Sequence, residues 1–274
     1  MPCVNRRVLP GFSLTLGYST FYLSVLVLIP IAAVCLKSAS LTWDQFVRAA
    51  WSERARSAYA LTFGTSFAAA LVNVFLGLLI AWVLVRYRFP LKRLFDSLID
   101  LPLALPTAVA GLVYSSLYVE SGWLGQYLMP LGIKAVYTPL GIALVLTFIG
   151  LPFAVRTVQP VLEDMDPDAE EAAGSLGATR WQTFRHVIMP TLYPSLVTGF
   201  ALGFARCLGE YGSVVFVSGN FPYKTEIAPV LIVARLEEFA YAEATAIAVV
   251  LLAISFAMLI VINLLERWSR PVGA

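Results

Sequence analysis

Glu170-Glu171-Ala172-Ala173-Gly174-Ser175-Leu176-Gly177-Ala178-Thr179-Arg180-Trp181-Gln182, running on to Val187-Ile188-Met189-Pro190, is the longest polar interruption in a very apolar chain. Its order of residues predicts two short helices joined at a glycine. Asp166-Pro167 opens the first. Aspartate offers an N-cap carboxylate, and proline fits the first helical position, where a missing N–H does no harm. Asp168, Glu170 and Glu171 then place negative charge near the positive end of the helix dipole. Ala169, Ala172, Ala173 and Leu176 form a small, smooth face, and Gly177 stands where a glycine ends a helix. Thr179-Arg180-Trp181-Gln182 fits a capping box, which starts the second helix. That helix runs through Phe184, Val187 and Ile188, and Pro190 and Pro194 are expected to break it from the fifth apolar segment.

The surroundings of this stretch point to lipid. The chain has 274 residues, 59% hydrophobic and only 13% charged, against about 25% charged in a soluble domain. Mean hydropathy is +0.79. Crossing the hydrocarbon takes about 20 apolar residues in a helix, and a helix satisfies its own backbone there. Segments near 12–36, 58–85, 101–119, 139–155, 191–217 and 244–265 qualify or nearly qualify. The expectation is therefore an all-α, polytopic membrane protein with about six transmembrane helices. A cleaved signal peptide is disfavoured, because the charge-free run after Arg6 and Arg7 exceeds the roughly 7–15 residues of a signal core. A net charge of +2 gives no argument for nucleic acid.

Basic residues in the loops set the orientation. With the N-terminus inside, Arg6, Arg7, Arg86, Arg88, Lys92, Arg93, Arg156, Arg180, Arg185, Arg267 and Arg270 fall on the cytoplasmic side. Lys37, Arg48, Arg54, Arg56, Lys134, Lys224 and Arg235 form a smaller external set. Both termini are then cytoplasmic, and so is the 163–190 loop. It is far longer than the roughly 2–8 residues usual between packed helices, and its small-residue face suits close approach of a partner.

Several features stay open at this level. Leu101-Pro102-Leu103-Ala104-Leu105-Pro106-Thr107-Ala108-Val109-Ala110-Gly111 holds two prolines and a glycine. It reads either as a kinked element lining a passage or as a helix start with Pro102 in its first turn and Asp100 as its cap. Thr107, Ser115, Ser116 and Thr147 are candidates to line such a passage. Arg206 and Glu210 stand four apart in the fifth segment, which puts them on one helix face. Charges at that depth are costly; they read either as part of an anion path or as a self-neutralising structural pair. Cys3, Cys35 and Cys207 lack metal-ligand spacing and read as free thiols. Gly122–Leu128 reads as a short interfacial helix, and His186 as a surface residue near a partner.

Glu171-Ala172-Ala173, then Gly177, then Val187 and Met189-Pro190 resembles the motif EAA-x3-G-x9-I-x-LP of permease subunits in binding-protein-dependent ABC importers. Val187 and Met189 are conservative departures. Arg86-Tyr87-Arg88-Phe89-Pro90, Leu101–Gly111, Arg206-Cys207-Leu208-Gly209-Glu210-Tyr211-Gly212 and Lys224-Thr225-Glu226 are similar to the T-subunit branch of sulfate/thiosulfate permeases. Molybdate permeases share the Leu-Pro-rich and Gly-Glu-Tyr-Gly stretches. Lys224-Thr225-Glu226 and Ala234-Arg235-Leu236-Glu237-Glu238-Phe239 favour sulfate.

The resemblance implies a type I ABC importer permease fold, one transmembrane domain over 1–274, in the inner membrane. Glu171, Ala172, Ala173 and Gly177 would belong to coupling helices, at about 163–190, that dock into a groove on an ATPase. Two ATPase copies, a second homologous permease forming a heterodimer and a periplasmic sulfate/thiosulfate-binding protein are the implied partners, besides membrane lipid. No cofactor is expected in this chain; ATP and magnesium would be bound by the ATPase, since the sequence has no G-x-x-x-x-G-K-[ST]. Pro106, Thr107, Arg206 and Glu210 are the candidate translocation-path residues. The alternatives are a permease for another oxyanion such as molybdate or tungstate, and a secondary transporter. The latter expects broken helices in both halves, and the break near Pro106 has no mate visible in sequence.

Overall fold

A computed structural model describes residues 12–269. Cys3, Arg6, Arg7 and Arg270 lie outside the described residues, as does the side chain of Arg267. The described chain is helical, and no strand occurs in it. In order it forms α1 (Phe12–Leu23), α2 (Ile29–Ser38), α3 (Trp43–Ala50), α4 (Glu53–Arg86), α5 (Lys92–Ile99), α6 (Leu101–Ala104), α7 (Thr107–Tyr118) and α8 (Gly125–Leu128). It continues with α9 (Pro139–Glu163), α10 (Pro167–Ser175), α11 (Arg180–Thr183), α12 (Met189–Leu208), α13 (Val214–Ser218), α14 (Ala228–Glu237) and α15 (Tyr241–Ser269). Among the described residues, five continuous helical stretches are long and apolar enough to cross a membrane: Leu14–Ser38, Glu53–Arg86, Pro139–Glu163, Arg180–Leu208 and Tyr241–Leu264.

The helices α4, α9 and α12 form the centre. The buried face of α4 carries a stripe of small residues spaced three and four apart: Ala55, Ala58, Thr62, Ser66, Ala69, Asn73, Gly77 and Ala81. Such a stripe lets backbones approach, which is what holds helices together where lipid is as apolar as leucine. The approach is tight. A Cβ on Gly77 would stand 2.6 Å from Ala154 Cβ, and one on Gly199 would stand 2.5 Å from Thr157 Oγ1. Asn73, 1% exposed, fills the space a side chain at Gly150 would need. Ile142, Val145, Val155, Val158, Leu192 and Phe204 complete the buried contacts.

Four expectations change. The segment at 101–119 is not one helix; α6 ends at Ala104, and Leu105-Pro106 runs extended before α7 restarts at Thr107. Pro106 cannot donate to the carbonyl four residues back, and its predecessor is forced out of the helical region. The fifth segment stops at Leu208 rather than continuing to 217. Pro190 and Pro194, expected to break the helix, do not. A π turn over Phe184–Ile188 precedes Pro190, and the Met189 N–H reaches back to Phe184 O. The wider turn leaves room where the missing proline donor would have been needed. Gly122–Leu128 is helical only from Gly125.

Overpacking a close contact typically costs about 1–3 kcal/mol. Gly77→Leu should therefore lower the thermal unfolding temperature of the purified protein. Gly64→Leu, on the same helix with open space around it, should leave the temperature unchanged; an equal drop in both would contradict the packing account.

Candidate functional site

The polar loop folds as its residue order dictates. The Asp166 carboxylate accepts from the Asp168 N–H at 3.0 Å and caps α10, with Pro167 in the first turn. At the other end Gly177 has φ +83°, a left-handed conformation that glycine adopts without penalty. The Gly177 N–H donates to Gly174 O and the Ala178 N–H to Ala173 O, both at 3.0 Å. This pair of bonds is a Schellman closure, which satisfies carbonyls the helix end would otherwise orphan. The capping box then forms in full: Gln182 N–H donates to Thr179 Oγ1 and Thr179 N–H donates to Gln182 Oε1. Glu171, Ala172 and Leu176 are exposed, Leu176 at 90%, while Ala173 is half-buried. This side of the corner is left uncovered by the rest of the described chain.

The corner is fastened to the bundle. Arg86, the last residue of α4, donates from Nη2 to Glu170 Oε1 on α10. The Arg86 guanidinium also stands over the Trp82 ring, 5.3 Å from its centroid. Trp82 meets Phe184 edge-on at 5.6 Å, and Phe184 stacks on Trp181. Beside this runs a second tie. Arg156 on α9 donates twice to the Asp100 carboxylate, at 3.0 and 2.7 Å, once to Asp96 Oδ1 at 2.6 Å and once to the Asp96 carbonyl. Asp100 does not cap α6, as its position suggested; Arg156 takes it instead. The guanidinium holds the Asp100 carboxyl below the usual carboxylate range, with slight burial opposing.

The candidate path residues come together in a way sequence does not show. After Leu208 the chain turns through Gly209-Glu210-Tyr211-Gly212-Ser213 and then forms α13. This turn lies directly on the break at Pro106. A side chain on Gly212 would collide with Thr107, and a Cβ on Gly111 would stand 2.7 Å from Ser213 Cα. The break near Pro106 therefore packs against the turn that follows α12. Pro106 is exposed and Thr107 half-buried, at the uncapped start of α7. Ser116 and Thr147 instead spend their hydroxyls on the carbonyls of Leu112 and Ala143.

Glu210 is outside α12, not on a helix face with Arg206, yet the two meet. Arg206 Nη1 donates to Glu210 Oε2 at 2.6 Å. The other Glu210 oxygen accepts from the Ser213 N–H at 3.0 Å and the Ser213 hydroxyl at 2.9 Å. The Glu210 side chain is 3% exposed and that of Arg206 is 32% exposed. Glu210 thus holds the turn closed, and Arg206 keeps part of its surface free.

Three long-range pairs were missed by sequence reasoning: Arg86–Glu170, Arg156–Asp96/Asp100 and Arg54–Glu226. The last is bidentate, both bonds 2.7 Å, and ties the start of α4 to the approach to α14. There the Ala228 N–H donates to Thr62 Oγ1 at 2.8 Å. The Lys224-Thr225-Glu226 stretch thus contains two buried structural groups, since Thr225 accepts from the Phe221 N–H. Charge identity alone hints at such pairs; nothing local chooses the partner.

Residues 73–271 match the family model for binding-protein-dependent transport system inner membrane components. The chain is 48% identical to the sulfate transport system permease protein CysT of Escherichia coli (strain K12), over 98% of this chain and 97% of that protein. It is 51% identical to the protein of that description from Synechocystis sp. (strain ATCC 27184 / PCC 6803 / Kazusa), over 91% of this chain and 87% of that one. Among solved structures it resembles a chain of a bacterial ABC transporter involved in the import of the acidic polysaccharide alginate. There the TM-score is 0.76 at 17% identity, covering 93% of this chain and 94% of that one. A bacterial alginate ABC transporter in complex with alginate pentasaccharide-bound periplasmic protein gives 0.76 at 18% identity, covering 96% of both chains.

Removing one member of a buried hydrogen-bonded pair strands the other, at about 1–3 kcal/mol. Arg206→Gln and Glu210→Gln should each lower stability by that order. The double variant should recover most of the loss, as read by a double-mutant cycle on thermal unfolding. A double variant no better than the singles would remove the pairing from the account.

Proposed function

This chain belongs to the family of binding-protein-dependent transport system inner membrane components, and on that footing we propose that it conducts sulfate or thiosulfate through an ATP-driven importer, moved by a separate ATPase that grips α10. The chain is a multi-pass permease subunit with the type I importer fold, and is not itself catalytic. The observation that carries the mechanism is the corner at Gly177: a closed, capped pair of helices, exposed outward and fastened inward through Glu170 to Arg86.

Those bonds set the mechanical logic. Force on Glu171, Ala172 and Leu176 reaches α4 through the Glu170–Arg86 ion pair. It reaches α12 through Phe184, because Arg180–Leu208 is one continuous helix. Helix α12 ends at the Glu210 turn, which rests on the Pro106 break. Moving the corner therefore shifts the place where both helices are interrupted. Backbone that leaves the helix at membrane depth is tolerated where it is packed in protein or lines a wet cavity. Arg206 and the uncapped N–H groups at the start of α7 supply positive potential there, which suits a doubly charged oxyanion passing through. The Glu210 carboxylate keeps that potential moderate, so that the anion is not held.

The other parts are those that the family resemblance implies. ATP and its magnesium ion are bound in two copies of the partner ATPase. A second homologous permease completes the path, and a periplasmic binding protein delivers sulfate or thiosulfate. The chain acts as one permease domain in the inner membrane, with both termini and the α10 corner cytoplasmic. The sulfate assignment rests on the sulfate permeases that resemble the chain over nearly its whole length.

Reconstitution of the chain with its partners tests this. Binding protein loaded with sulfate or thiosulfate should stimulate ATP hydrolysis, and stimulation by molybdate alone would sink the substrate reading. Gly177→Arg should insert normally but lose uptake, because the side chain fills the docking face. Gly177→Ala strains the left-handed turn by about 1–2 kcal/mol without filling that face, and should keep most of the uptake. Normal sulfate uptake by Gly177→Arg would exclude the coupling role.

A further inference from the structure

Helix α5 (Lys92–Ile99) lies outside both the α10 corner and the broken helices. Chain order places it between α4, which ends at Arg86, and α6, which starts at Leu101. Leu91, at φ +64°, supplies the sharp corner before it. Its residues divide by face. Asp96, together with Asp100 just beyond the helix, turns to Arg156 on α9. Ile99 is buried, whereas Leu91, Leu94, Phe95 and Leu98 are exposed. Arg88 and Arg93 are exposed as well, and Lys92 is half-buried. None of these three cations forms an ion pair among the described residues, whereas Arg54, Arg86, Arg156 and Arg206 all do.

We propose that α5 is an interfacial helix that binds anionic phospholipid in the cytoplasmic leaflet and anchors the end of α9 that leads into the coupling corner. An amphipathic helix with basic residues beside an apolar face settles at the headgroup boundary. Lipid phosphates offer the acceptors that Arg88, Lys92 and Arg93 lack, and each basic residue near an anionic surface adds attraction. The Arg156 bonds to Asp96 and Asp100 fix which way α5 faces. They keep its leucines turned from the bundle and couple its depth to α9. The choice of leaflet rests on the proposed orientation, with both termini cytoplasmic; the substrate assignment plays no part in it.

Two measurements test the inference in the assembled transporter. With p-benzoylphenylalanine at Phe95, irradiation of membranes should give a phospholipid adduct. A cross-link to a protein subunit, or no lipid adduct, would overturn the proposal, the first by showing that a partner covers this face. In native mass spectrometry, the Arg88→Gln, Lys92→Gln, Arg93→Gln triple variant should bind added phosphatidylglycerol roughly a hundredfold more weakly than the parent. Its weak binding of phosphatidylcholine should not change. Equal phosphatidylglycerol binding by variant and parent would overturn the proposal. Neither readout involves sulfate uptake, so the substrate reading stands or falls separately.

Discussion

Close backbone approach among α4, α9 and α12 is the constraint on which the rest of the molecule depends. Lipid tails are as apolar as the side chains they touch, so burial alone gives these helices little reason to associate. Contact must come from shape. The small-residue stripe of α4 provides it, with Gly77 against Ala154, and Gly199 on α12 meets Thr157 in the same way. This leaves no slack in the centre, and displacements applied at one end of a helix are carried to the other.

The irregular parts of the chain are placed on that rigid centre. Two helices are interrupted, at Leu105-Pro106 and at Gly209–Ser213, and the interruptions pack together. Glycines at 111 and 212 allow this, and the Glu210 carboxylate closes the turn. Ionic ties then fasten the ends: Arg54–Glu226 at one end of α4, Arg86–Glu170 at the other, and Arg156 on α9 to Asp96 and Asp100 at the end of α5. The latter two are partly solvated and contribute more to position than to stability, whereas Glu226 is buried against Arg54. Their common effect is that the exposed corner, the broken helices and the basic surface of α5 keep fixed relations through α4, α9 and α12.

Much of the α10 corner was legible in sequence because its determinants are local. Asp166-Pro167, Gly177 and Thr179–Gln182 act on backbone groups within a few residues, and each does so in the structure as its chemistry requires. Most of the spans were legible for a similar reason, since length and hydropathy are additive along a chain. Proline was read less well. Pro106 interrupts a helix, but Pro190 does not, because a π turn just before it re-registers the hydrogen bonds, and Pro194 sits inside α12. The same residue type thus gave opposite outcomes according to its neighbours.

What the sequence by itself determined is the membrane class, the apolar spans and the grammar of the α10 corner, all of which come from periodicity, capping and composition. What only tertiary structure decided is which distant groups meet. Asp100 has the look of a helix cap but belongs to Arg156; Glu226 has the look of a loop charge but is buried against Arg54; the Pro106 break packs against the turn after Leu208. Each of those choices joins residues far apart in the chain. The physical reason is that a charge or a glycine states only what it needs, an opposite charge or a close surface. Three-dimensional packing selects which of several candidates supplies it.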